Sequence, residues 1–97
     1  MYTQPIQYIP QQRDVVFHKY EMQPGFITKV EEYQTRPHMI TRYTLTITWL
    51  YGGISGLMDS QDVLDADAYL KYLTTTDTDT ERLERYAEEI ITLRKRF

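Results

Sequence analysis

Few residues in this chain have the chemistry of a reactive centre. The histidines are His18, inside the apolar stretch "DVVFHKYE", and His38, beside Pro37. The serines are Ser55 and Ser60, near the one glycine-rich run. Acyl-transfer chemistry requires a nucleophile, a base and an orienting acid to meet in space. Ser60, His18 and Asp62 are the set the fold would have to assemble, and no nucleophile-elbow signature surrounds either serine. The acids Asp59, Asp62, Asp65 and Asp67 invite a metal reading, as does "DTDTER" at 77–82. A calcium loop places acids at alternate positions and then a glycine, and Arg82 stands where that glycine belongs. With no cysteine there is no thiolate ligand, no disulfide and no thiol nucleophile. A Walker lysine loop and a dinucleotide-binding glycine pattern are also absent. The expectation is a protein that is not an enzyme, with no catalytic residues, no metal and no cofactor.

One ligand chemistry survives. "YGGISG" at 51–56 holds three of the four glycines, and the amides of Gly52 and Gly53 could face an anion. Arg42 lies on the adjoining strand. A small phosphate-bearing ligand bound by Arg42, Tyr51, Gly52 and Gly53 is therefore one functional reading.

These residues must be placed by their elements. "RYTLTITW" alternates Tyr43, Leu45, Ile47 and Trp49 with threonines, a strand with one apolar and one polar face. The apolar face is either core or a binding platform. As the best contiguous apolar set in the chain it reads as core, with Trp49 as anchor and its indole N–H bonded to a partner. The full strand is predicted over 39–51. Earlier strands are predicted over 14–21 and 26–34, joined by a turn at Pro24-Gly25. Gly52-Gly53 makes a hairpin turn into a fourth strand at 54–58, with Gly56 a candidate bulge. A helix is predicted over 60–73, or from Asp65 if 61–64 stay extended. "TTTDTDT" forms a polar joint, with Thr78 and Glu81 spaced as a capping box. The second helix, 79–97, has Leu83, Tyr86, Ala87, Ile90 and Phe97 on one stripe, acids early and bases late.

The chain has 97 residues, so one domain is expected over 13–97, with an extended arm, 1–12, in front of it. Pro5 and Pro10 keep that arm extended, and Tyr8 and Ile9 are its docking side chains. Residues 1–45 carry five basic side chains against four acids, and residues 46–97 carry six against ten. Neither half is basic enough for a dedicated nucleic-acid binder. There is no apolar run long enough to cross a membrane as a helix. Lack of cysteine fits a reducing compartment, so a cytoplasmic protein is expected, or a virion component if it comes from a phage.

Strands grouped before helices make an α+β fold. "DVVFHKY", "PGFITKVEEY", "YTLTITW" and "GGISGLMDSQDV" resemble small SH3-like β-barrels of the KOW type, over roughly 13–64. In such folds a Gly or Pro-Gly turn leads into an Ile/Val strand, and a tryptophan strand precedes a tight glycine turn. Phe26 stands where a small residue often sits, and the basic loops used against RNA are missing. The resemblance implies a small antiparallel β-meander or SH3-like partial barrel followed by two C-terminal helices, without an RNA role.

Nine tyrosines suit either half-buried strands or an interface. The apolar arc of the last helix is wide, leaving Ile91 and Phe97 for a second contact. The function expected is a small non-enzymatic module that binds another protein, of the kind a phage accessory or host-inhibitory protein would be. The alternative is a structural subunit of a virion or homo-oligomer that uses residues 1–12 as an exchanged arm.

Overall fold

The computed structural model describes Tyr2, residues 8–33 and residues 42–97. The predicted Pro37 break, His38 and the start of the third strand lie outside these residues, as do Pro5 and Ile6 of the arm. Five strands form one antiparallel open sheet: β1 (Val15–His18), β2 (Pro24–Tyr33), β3 (Arg42–Trp49), β4 (Ile54–Asp59) and β5 (Val63–Asp65), in the order β4-β3-β2-β1-β5. Two helices follow, α1 (Ala66–Thr76) and α2 (Thr80–Arg96). The α+β arrangement is as expected.

The sheet is curled, and chain connectivity requires it. β4 and β5 are the two edges, four strand spacings apart, which would be roughly 19 Å in a flat sheet. Only the 3₁₀ turn Ser60–Asp62 joins them. Fully extended, that connection spans at most about 14 Å, and as 3₁₀ it spans less. The edges must therefore approach. The concave face so formed buries Val16, Ile27, Leu45, Ile47, Trp49 and Val63 without help from a helix. The opposite face presents Val15, Phe17 and Phe26 to Ala66 and Leu73 of α1 and to Tyr86, Ile90 and Leu93 of α2. The apolar side of "YTLTITW" is thus core. Trp49 Nε1 donates to Ser55 Oγ at 2.7 Å.

Two irregularities set which side chains reach this face. Ile27 pairs with Ile47, but Lys29 pairs with Thr46, so Thr28 is an extra residue in β2. Its hydroxyl donates to the Thr46 carbonyl at 3.1 Å. Without the bulge Lys29 would follow Ile27 onto the concave face; with it, Val30 does. In β4 the register slips between Met58 and Ser55, at the predicted Gly56 bulge, and Leu57 takes the left-handed conformation there (φ 60°).

The structure corrects the expected elements in three places. First, Pro24-Gly25 is not the turn. Both residues open β2, and the turn is 19–23, where Met22 takes φ 54° and His18 Nδ1 accepts the amides of Tyr20 and Glu21, each at 3.1 Å. Proline is tolerated as a first strand residue. Gly25 is required for a different reason: it leaves room for the Trp49 ring. Second, 60–73 is not one helix; the alternative start near Asp65 is the one found, with α1 beginning at Ala66. Val63, Leu64 and Asp65 pair with His18, Phe17 and Val16 as a fifth strand, because the exposed edge of β1 captures them. Val63 enters the concave core and Leu64 packs on the helix side, so the segment needs strand alternation. Third, α1 runs to Thr76 through part of the expected joint. Thr74, Thr75 and Thr76 donate their hydroxyls back to carbonyls of Leu70 and Tyr72, so they stay helical. The cap of α2 is Asp79, whose Oδ1 accepts the Arg82 amide at 3.1 Å, rather than Thr78.

The described part of the arm lies on its own chain. Tyr2 packs on Tyr69 and Tyr72, with ring centroids 5.1 and 5.0 Å away. The Tyr8 hydroxyl donates to Asp14 Oδ2 at 3.0 Å, and burial together with Asp14 pushes its pKa upward. Beside it, Asp65 precedes α1. Burial raises its pKa, the Ala68 amide opposes that shift, and the charges of Asp67 and Asp14 add to it. A carboxyl whose folded pKa is raised binds its proton more readily in the folded state. Its ionised form therefore weakens folding at neutral pH, and the penalty is relieved as pH falls through the raised pKa. Asp65→Asn keeps the side chain's shape at the start of α1 and removes the charge. It is expected to be slightly more stable than wild type at pH 7, by a few tenths of a kcal/mol. That difference should vanish near pH 3, as read from paired thermal melts across pH.

Candidate protein-binding surface

The β3–β4 hairpin carries three exposed apolar side chains, while Ile9, Tyr20, Ile91 and Phe97 are exposed elsewhere. Trp49 and Gly53 close it, with the Trp49 amide donating to the Gly53 carbonyl at 3.1 Å and the Gly52 amide to the Trp49 carbonyl at 3.3 Å. Gly52 and Gly53 take φ 124° and 89°, a conformation side chains resist, which is why two glycines sit here. Tyr51, Ile54 and Leu57 are 69%, 73% and 82% exposed. β3 itself lies inside the sheet, so its threonine face is not an edge. β4 is one of the two edges, and its residues 54–58, "ISGLM", carry no charge. An edge strand offers unpaired N–H and C=O groups, and natural edges are usually blocked by lysine, proline or a bulge. Here the Gly56–Leu57 bulge is the only such guard within 54–58.

The residues singled out from sequence separate in space. Arg42 stands at the opposite end of the eight-residue β3 from the glycine turn, roughly 25 Å away. Its guanidinium approaches Gln61 Oε1 at 3.4 Å and Asp59 Oδ2 at 3.7 Å. The phosphate reading thereby loses its cation. Tyr51, Gly52 and Gly53 stay together on the hairpin. Tyr8 is engaged with Asp14, whereas Ile9 is exposed. Phe97 stacks on Phe26, centroids 4.5 Å apart, and Ile91 is left half exposed on α2. Among the described residues no group of three or more His, Asp or Glu could hold a metal ion, and no helix is long and apolar enough to cross a membrane.

The sequence reading missed Ile54, Leu57 and Glu89. Ile54 and Leu57 were legible as strand residues, but which strand would be the edge depends on β5 joining the far side. Glu89 had a readable signal. It lies three residues after Tyr86 and four before Leu93, on the apolar stripe of α2, and it is buried there. Tyr51 Oη donates to Glu89 Oε1 at 2.6 Å. That bond raises the pKa of the Tyr51 phenol, with burial and the Glu89 charge adding and Arg85 opposing. Comparison with protein-family models, curated proteins and solved structures finds no match.

Proposed function

We propose that this chain is a non-enzymatic protein-binding module that docks a partner along β4 and the 51–57 hairpin. The observation that carries the reading is the exposure of Tyr51, Ile54 and Leu57 on a hairpin whose edge stretch, 54–58, carries no charge. Exposed apolar side chains clustered on one edge favour addition of a partner strand, in which backbone bonds give affinity and side-chain pockets give specificity. Leu57 adds to it, since a bulky residue in the left-handed region is strained and an exposed one contributes little to its own fold. The inward lie of Tyr2 and Tyr8 favours this reading over an arm-exchanging assembly. The SH3-like resemblance is proposed alongside it, supported by five short antiparallel strands with a glycine turn after the tryptophan strand.

The test uses the full chain as bait for affinity capture from the native host, beside Ile54→Lys/Leu57→Lys. Both side chains are exposed, so the double variant should melt close to wild type. The expected result is a partner enriched by wild type and reduced about tenfold or more by the variant, equivalent to about 1.4 kcal/mol of binding. Equal enrichment by both baits would reject the edge as the docking surface.

A further inference from the structure

A cavity of about 330 Å³ lies behind the hairpin, between the 19–23 turn and α2. That is the low end for a ligand site, suited to one side chain rather than a cofactor. Its walls include Glu21, Gln23, Tyr51, Arg85, Tyr86 and Glu89. The balance of hydrogen-bonding groups there is uneven. Glu89 is 8% exposed, and its two neighbours, the Tyr51 hydroxyl and the Arg85 Nε at 3.6 Å, both address Oε1. The arginine is beyond hydrogen-bonding distance. Gln23 donates its amide to Glu21 Oε2 at 3.2 Å, and its own buried Oε1 has no donor among the described residues. A buried acceptor without a donor is costly, and a buried carboxylate whose cation stands at 3.6 Å leaves room for a closer one.

From this we infer that the cavity is a receptor for a guanidinium group, an arginine side chain presented by the partner protein. The inference rests on the protein-binding reading and names the chemistry of what binds. A guanidinium brings five N–H donors and no acceptor, the complement of Glu89, Glu21 and Gln23. Tyr86 supplies a ring face on which a guanidinium group can stack. The chain already holds a partial stand-in: Arg85 sits 5.4 Å from the centre of the Tyr86 ring and loosely beside Glu89. With its side chain largely exposed, Arg85 can swing out when an incoming arginine takes its place.

The probe is N-acetyl-arginine amide, titrated into isotope-labelled full-length protein and followed by NMR. N-acetyl-citrulline amide, of similar shape and uncharged, is the control. Saturable shifts at Glu21, Gln23, Tyr51 and 85–89 are expected with the arginine probe in the millimolar range, about tenfold weaker or absent with citrulline. Glu89→Gln should abolish binding, and Glu21→Gln should weaken it. Arg85→Gln, which removes the internal competitor, should tighten it by about two- to fivefold. Glu21 is exposed, so that variant carries the test should Glu89→Gln fold poorly. No saturation, equal response to citrulline, or unchanged affinity in folded glutamine variants would overturn the inference. Probe binding is independent of capture along β4. A failed edge variant with intact probe binding would therefore reject the docking surface and leave the receptor standing.

Discussion

Gly25→Ala will be among the most damaging single methyl additions in this protein. Gly25 lies in β2 between Val16 of β1 and Trp49 of β3. A Cβ at that position would come within 2.5 Å of Ile47 Cγ2 and of Trp49 Cε3. Neither neighbour can yield cheaply. Ile47 is fully buried, and the Trp49 indole is tied by its N–H to Ser55. The strain is steric and not conformational, since Gly25 does not need a left-handed φ. Overpacking of this kind costs about 1–3 kcal/mol and more where nothing relaxes, and the upper end is expected here. For a domain of this size each kcal/mol lowers the melting temperature by about 4–8 °C. Gly56→Ala is the matched control, because nothing lies within 4 Å of its added Cβ. Thermal melts of the two variants should differ by roughly 10 °C or more. Similar melting temperatures would mean that the tryptophan does not need the space Gly25 leaves.

That glycine shows where sequence reasoning stops. Pro24-Gly25 has the composition of a turn, and local chemistry supports that reading. The competing demand is tertiary: a ring from a strand two dozen residues away needs the space. The same holds for 63–65. Val63 and Leu64 fit a helical stripe and a two-sided strand equally well, and only the free edge of β1 decides between them. Where one local signal spans the whole element, the outcome was legible. The alternation of Tyr43, Leu45, Ile47 and Trp49 gave the buried face, and the 3.6-residue period gave α2. The candidate site was legible only at Tyr51, Gly52 and Gly53. Its edge character and the acceptors behind it depend on strand order and on the register of α2 against the 19–23 turn, which no local pattern encodes.

The second large effect is expected from Phe17→Ala. Phe17 is fully buried in β1, and its ring meets Tyr69 of α1 at 5.9 Å and Tyr86 of α2 at 5.1 Å. One side chain thus joins the sheet to both helices. Removing a buried phenylalanine costs about 3–5 kcal/mol, through lost transfer energy and the cavity left behind. That is a large share of the roughly 5–15 kcal/mol that holds a domain folded. The less obvious expectation concerns how the loss is shared. Val15 and Phe17 serve the helix-side core, while Val16 between them serves the concave core. β1 also holds β5, whose Val63 closes the concave side. A strand that contributes to both cores cannot lose one without loosening the other. Helical circular dichroism, which follows α1 and α2, and the fluorescence of Trp49, which follows the concave core, should therefore fall at one shared midpoint, lower than in wild type. If the helical signal moved and the tryptophan transition stayed in place, the two cores would be separate folding units. The curled sheet would then stand without the helices, and the receptor cavity, which α2 completes, would be lost with the edge of β4 still intact.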